Sequence, residues 1–283
     1  MKRLLMQFLQ SLAFILISVW VLLSLLLYIF QPGFVYYPLA GLAATPGQAG
    51  LAYEDVILTG AGGVSLHGWL KRPDDWRAGD RYPLVVVYGG VRREISEFVA
   101  RSGAAGKWGW LMVNYRGFGL SQGEPSERAV LDDARHIYDW AAARPDVDAG
   151  SIVVLGRSLG SYVAVAVAAQ RPARAVILAT PFDSFVALGE KHFPQLPLSW
   201  IFGGRFDPSA LAPAIEAPAL FLLAENDEVT PADNGRALAR RWGGWTQTVL
   251  LPGASHYRIE RREDFWRSVR GFLAALTTSA ARG

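Results

Sequence analysis

Cysteine is absent from all 283 residues. That excludes a disulfide framework, a thiolate metal site and a cysteine nucleophile, and because it fits any compartment it does not locate the protein. Histidine is scarce. His67, His136, His192 and His256 are scattered, and no pair has the short spacing of a helix-borne zinc site. An excess of charge is also missing. The formal net charge is +3, and Lys2 and Arg3 carry much of it, so the rest of the chain is close to neutral. A near-neutral body argues against nucleic acid as a partner, despite a pI of about 9.2. Nucleotide loops are lacking too: Gly117, Gly119 and Gly123 are wrongly spaced for a dinucleotide fingerprint, and Gly103 to Lys107 is too short for a P-loop. There is no internal repeat and no low-complexity tract. The sequence therefore gives no reason to expect a metal or a cofactor.

What the chain does have begins at its front. After Lys2 and Arg3, the run from Ser11 to Phe30 is mostly apolar and holds no charged residue. Its 20 residues as a helix would measure about 30 Å, the thickness of a hydrocarbon core. The alternative is a cleaved signal peptide, whose apolar core is about 7–15 residues; a small-residue site near Ala43 would suit cleavage. The longer run favours an uncleaved anchor. No cation follows until Lys71, so the positive-inside rule places the N-terminus in the cytoplasm and the body on the far side. Tyr36 and Tyr37 then fall at the membrane interface. Later apolar runs, such as PLVVV and ALFLLA, are too short to span, which excludes a channel or a multi-span transporter.

The remaining pattern divides the chain into a tip and anchor over 1–31, a Gly/Pro/Ala-rich linker over 32–50, and an α/β domain over 51–283. Strands are predicted at Glu54–Thr59 and Val64–Arg72, flanking a glycine-rich turn, and then at Pro83–Tyr88, Gly109–Asn114, Ser151–Leu155, Arg174–Thr180, Pro218–Ala224 and Thr246–Leu251. Helical patterns lie at Glu127–Ala143, Ser161–Gln170, Pro231–Trp242 and Glu263–Leu276. Two antiparallel strands followed by alternating β and α units predict a doubly wound, mostly parallel, eight-stranded sheet. Residues 181–217 break the rhythm with many aromatics and prolines, and read as a cap over one end of the sheet or as an ordinary packed insertion.

Ligands of an open α/β sheet bind beyond the carboxyl ends of its strands. Three reactive residues fall there. Ser158 sits in Gly156-Arg157-Ser158-Leu159-Gly160, between a strand and a helix, where small flanking residues permit a sharp turn that presents the hydroxyl. A serine needs a base, and the base needs an orienting acid. His256 follows the last strand and Asp227 follows the one before it. The order Ser158, Asp227, His256 is the order this architecture requires. His136 reads as a solvated helix residue, His67 as structural, and His192 as a cap residue within reach of substrate. Asp183 is the runner-up acid, and Glu225 and Glu228 are neighbours of Asp227 that geometry must separate from it. Oxyanion donors are expected from the backbone of Leu159 and of Val91, with Gly90 as the alternative to Val91.

The residues at these points resemble the alpha/beta-hydrolase superfamily. More narrowly, they are similar to its membrane-anchored, single-span branch of serine hydrolases, which includes protein depalmitoylases, lysophospholipases and monoacylglycerol lipases. The resemblance runs from Tyr36 to about Leu276 and rests on YYP, YGGVRREIS, VNYRGFGLSQGEPSE, LGRSLGS, TPFDS, ENDEVTP and GASHY. It implies a serine hydrolase fold with Ser158, Asp227 and His256 as its triad, and is not specific for a substrate; the apolar segment 181–217 and the anchor point to a small-molecule or lipid-like acyl substrate, cleaved at an ester or thioester. Two positions depart from the pattern. Gly89-Gly90-Val91 replaces the usual His-Gly-Asn, and Ala224 replaces a glycine ahead of the acid. Amide or peptide cleavage on the same fold, and a catalytically idle binding protein, are the other readings.

Overall fold

The computed structural model describes residues 2–38, 41–42, 45, 52–92, 95–96, 98, 106–202 and 206–280. In the described chain a long helix α1 (Lys2–Val35) precedes the strands β1 (Glu54–Thr59), β2 (Ser65–Lys71), β3 (Tyr82–Tyr88) and β4 (Gly109–Val113). Helix α2 (Glu127–Ala142), β5 (Val147–Arg157), α3 (Leu159–Ala168) and β6 (Ala175–Ala179) follow. Three short helices, α4 (Phe185–His192), α5 (Leu198–Phe202) and α6 (Pro208–Leu211), lie before β7 (Ala219–Asn226). The chain closes with α7 (Ala232–Arg240), β8 (Thr246–Ser255) and α8 (Glu263–Ala280).

The eight strands form one sheet in the order β1-β2-β4-β3-β5-β6-β7-β8. Strand β2 is antiparallel to both of its neighbours, and every pairing from β4 to β8 is parallel. All eight strands predicted from sequence are present. The continuous apolar run of β3 is explained by burial on both faces: Leu84, Val86 and Tyr88 enter one core, while Val85 and Val87 enter the other. The first core is covered by α2, α3 and α7, through Val130, Ala134 and Ile137, Val163 and Val167, and Leu238. The second is covered by α8, through Phe265, Val269, Phe272 and Leu276. Helices on both faces of a mostly parallel sheet make this the doubly wound fold. In α2 the Ser126 hydroxyl accepts from the Ala129 N–H, and Val130, Ala134, Ile137 and Ala141 form the buried stripe.

Several boundaries differ from the sequence pattern; β8, for example, runs on to Ser255. Strand β5 begins at Val147, because Val147 pairs with Tyr82 ahead of a register shift. Helix α3 begins at Leu159, directly after Ser158, without the two residues of turn that the pattern left there. Helix α1 runs through Pro32 to Val35, so the predicted linker begins with helix; most of residues 39–50 lies outside the described residues. Tyr36 is not an interfacial residue of the membrane. It is 3% exposed and packs on Phe206 in the body's core, because the end of α1 docks there.

Candidate active site

Ser158 occupies the single-residue corner between β5 and α3, with φ 54° and ψ −122°. A positive φ at a residue bearing a Cβ is strained, at a cost of about 1–3 kcal/mol, and the surroundings enforce it. The Ser158 N–H donates to the Ala179 carbonyl at the end of β6, and the Ser158 carbonyl accepts from both the N–H and the hydroxyl of Ser161. The flanking glycines allow the corner to close. A Cβ on Gly156 would lie 2.1 Å from the Gly160 carbonyl oxygen, and one on Gly160 would lie 2.1 Å from that of Tyr88. Both obstacles are backbone and cannot swing away.

The structure brings Ser158, Asp227 and His256 together. Ser158 Oγ is 3.0 Å from His256 Nε2, and His256 Nδ1 is 3.0 Å from each Asp227 carboxylate oxygen. Asp227, immediately after β7, is fixed by the N–H groups of Val229 (2.9 Å) and Thr230 (2.6 Å). His256, immediately after β8, is 2% exposed. The competing residues are engaged elsewhere. Asp183 accepts from the Asn234 amide, Glu225 accepts from the Gly253 N–H, and Glu228 accepts at 3.4 Å from the backbone N–H of His256. His67 is buried in β2, with its ring packed edge-on to Trp69. His136 is exposed on α2, with Nδ1 against the Asp132 carbonyl. His192 is the last residue of α4.

Two residues that sequence reasoning did not single out complete the arrangement. The Thr230 hydroxyl oxygen lies 3.1 Å from His256 Nδ1, from Asp227 Oδ2 and from the Thr180 carbonyl. It has one proton to donate. If that proton goes to Thr180, the oxygen faces Nδ1 as an acceptor, which suits a ring protonated at Nδ1 and open at Nε2. Arg157 is the other. Its guanidinium is buried, contacts Glu260 at 3.2 Å, and donates to the His256 carbonyl at 2.7 Å. One side chain thereby links the residue before Ser158 to the loop bearing His256. The signals were present: Thr230 lies within ENDEVTP, and Arg157 is a charge at the end of an otherwise apolar strand.

A cavity of about 170 Å³ opens over Ser158 and His256. Its apolar wall comes from Val35 at the end of α1, from Val91 and Leu159, and from Phe182, Phe185 and Leu188 in the segment before β7. Residues 181–217 thus contribute an aromatic cluster in which Phe185 meets Phe182, Phe202 and Phe206 at 5.2–6.2 Å between ring centres. Leu159 opens α3, where the first N–H groups have no partner within the helix. Val91 lines the cavity, and its carbonyl accepts from the Tyr37 N–H at 3.2 Å. The loop carrying Val91 is held from the end of β4. Tyr115 donates its hydroxyl to the Gly89 carbonyl, and the Asn114 side chain accepts from the Ile95 N–H. Burial pushes the Tyr115 phenol well above its ordinary pKa, so it stays protonated as that donor. Close approach is again required: a Cβ on Gly90 would lie 3.1 Å from the Arg157 guanidinium and 3.7 Å from Ser158 Cβ.

This sheet, with a strained serine after β5 facing a carboxylate after β7 and a histidine after β8, is a hydrolase-type arrangement. The chain belongs to the alpha/beta-hydrolase superfamily. The alpha/beta hydrolase domain-containing protein WAV2 of Arabidopsis thaliana is 32% identical over 281 residues, covering 88% of this chain and 89% of that protein. The uncharacterized protein Rv2307c of Mycobacterium tuberculosis is 30% identical over 232 residues, covering 80% of each. Residues 62–191 match the X-Pro dipeptidyl-peptidase (S15) family. Among solved structures, an esterase from Pyrococcus furiosus superposes with a TM-score of 0.64 at 20% identity, covering 86% of this chain and 97% of that one. An acetyl xylan esterase from Paenibacillus superposes equally well, at 0.64 and 21% identity, over 78% of this chain and 83% of that one. These last two share the fold.

Proposed function

We propose that the protein is a membrane-anchored serine hydrolase that cleaves carboxylic esters or thioesters of lipid-like or acylated substrates, with Ser158 as nucleophile, His256 as base and Asp227 as orienting acid. The observation that carries this reading is the unbroken line of contacts from the Ser158 hydroxyl through the imidazole to a buried carboxylate, at the floor of an apolar cavity. As Ser158 Oγ attacks the acyl carbonyl, its proton passes to His256 Nε2, and Asp227 stabilises the imidazolium that forms. The N–H groups of Leu159 and Val91 receive the oxyanion. His256 then gives the proton to the departing alcohol or thiol, and water, activated by the same imidazole, frees the acyl group from Ser158. An acyl substrate suits a cavity walled by Val35, Phe182, Phe185 and Leu188. The apolar helix α1, with Lys2 and Arg3 ahead of it, supports an anchor whose N-terminus is cytoplasmic, with the body on the other side.

The match to a peptidase family over residues 62–191 favours a second reading, cleavage of an amide. One comparison separates the two. Chromogenic esters of graded acyl length, and the corresponding anilides, are offered to the wild type and to Ser158→Ala. Ester turnover that rises with chain length and vanishes in Ser158→Ala supports the first reading. Anilide turnover without ester preference supports the second. Turnover that persists in Ser158→Ala overturns both.

A further inference from the structure

The helix that anchors the chain also touches the body well before its own end. Trp20 Nε1 donates to the Gln195 carbonyl at 2.6 Å. One and two turns further on, the Ser24 hydroxyl is covered and Leu27 packs on the body's core. Positions 20, 24 and 27 share one helical face, so α1 lies along the segment that joins α4 to α5. The other faces of α1 are bare: Leu22, Leu23, Leu25, Leu26, Ile29 and Phe30 are each 40–59% exposed.

These facts fix where the body sits, given the reading of α1 as an uncleaved anchor. Because Trp20 touches the body, the span lies nearer the N-terminus than the charge-free run Ser11–Phe30: Lys2 and Arg3 hold the inner edge of the hydrocarbon core, and about 20 residues of helix, some 30 Å, reach its outer edge near Leu23. Trp20 and its partner Gln195 are then at the level of that outer edge. The next turns of α1, still apolar on their bare faces, lie among the headgroups. The segment carrying Gln195 is built for the same place. From Phe193 to Gly204 the sequence FPQLPLSWIFGG contains no charged residue, between Lys191 and Arg205. Helix α5 buries Leu198, Ile201 and Phe202 but turns Trp200 outward, 81% exposed, the most exposed large apolar side chain among the described residues. Phe193, at the other end of the segment, is 57% exposed. Tryptophan favours the interface of a bilayer.

We propose that residues 193–200 are a second membrane contact: Phe193 and Trp200 seat in the outer interface of the phospholipid bilayer beside α1. The cavity, whose wall includes Phe185 and Leu188 of the same region and Val35 of α1, is then held just above the lipid from which an acyl substrate would come.

The absence of cysteine makes the test direct, because a single introduced cysteine is the only thiol to label. The full chain is reconstituted into phosphatidylcholine vesicles as Phe193→Cys or Trp200→Cys, carrying a polarity-sensitive NBD fluorophore. Phe14→Cys within α1 and Trp245→Cys at the opposite end of β8 are the references; both native side chains are exposed. The expected result is blue-shifted emission at 193 and 200, quenched when headgroup-level nitroxide lipids are added, with no change at 245. Labels at 193 and 200 that behave like the one at 245 overturn the proposal. Blue-shifted labels that lipid nitroxides do not quench also overturn it and point to a protein covering the face. A label at 14 that is not quenched by nitroxides carried in the middle of the lipid acyl chains removes the anchor reading and the proposal with it. None of these outcomes depends on turnover, so a failure of the hydrolase reading is told apart from a failure of the docking.

Discussion

Replacing Arg157 by methionine isolates one buried connection on which the site depends. Arg157 is 8% exposed, and its guanidinium faces the Glu260 carboxylate at 3.2 Å and donates to the His256 carbonyl at 2.7 Å. Removing it leaves Glu260, 4% exposed, as a buried carboxylate without its cation. Breaking one side of such a pair costs about 3–5 kcal/mol, because the remaining charge keeps its desolvation penalty and loses its compensation. A domain with about 10 kcal/mol in hand, the middle of the usual range of about 5–15 kcal/mol, stays folded. Urea unfolding of Arg157→Met should therefore show a stability loss of about 3–5 kcal/mol. The double variant Arg157→Met/Glu260→Met should recover most of it, since two apolar side chains in place of a buried pair are close to neutral or better. Turnover should not recover with stability, because neither variant restores the bond to the His256 carbonyl. The reasoning is refuted if Arg157→Met loses less than about 1 kcal/mol, or if the double variant is as unstable as the single.

Other perturbations follow from the same geometry. Thr230→Val keeps the backbone N–H that holds Asp227 but removes the hydroxyl beside His256 Nδ1. One hydrogen bond of about 1 kcal/mol predicts a fall in kcat of roughly five- to tenfold, with KM little changed, as steady-state kinetics would show. At Ser158 the φ of 54° favours glycine. Ser158→Gly and Ser158→Ala should both be inactive, with the glycine variant the more stable by about 1–2 kcal/mol in thermal unfolding. Asp146 is partly buried, which raises its pKa, but hydrogen bonds from Arg144 and Arg72 outweigh that and hold it below the usual carboxylate value. Its contribution is therefore complete above the unfolded-state value of about 3.9 and is lost as pH falls through the lower folded-state value. The stability gap between wild type and Asp146→Asn should be flat above about pH 5 and should shrink on acidification, measured by urea midpoints.

The strands were legible because burial on both faces writes an uninterrupted apolar run, as in PLVVV and ALFLLA, and because the turns between them are rich in glycine and proline. The approach of Ser158, Asp227 and His256 was legible for a topological reason: each follows a strand, and parallel strands deliver their ends to one edge of the sheet. Boundaries were less so. Strand β5 starts at Val147, ahead of the predicted Ser151, since the pairing of Val147 with Tyr82 is decided by β3 and not by local sequence. Thr230 and Arg157 escaped notice because their roles rest on contacts with Thr180 and with the His256 loop, 50 and 99 residues away along the chain. Tyr36 was placed at the membrane on its type and position. Its burial against Phe206 depends on where the end of α1 docks, which no local pattern states.

The central claim is that Ser158 is the nucleophile, activated by His256. The most direct measurement is to treat the protein with a fluorophosphonate and map the adduct by peptide mass spectrometry. A single phosphonylated residue at Ser158, formed in the wild type, strongly slowed in His256→Ala and absent in Ser158→Ala, is the predicted result. No adduct on the folded wild type, or an adduct on another residue, would contradict the account.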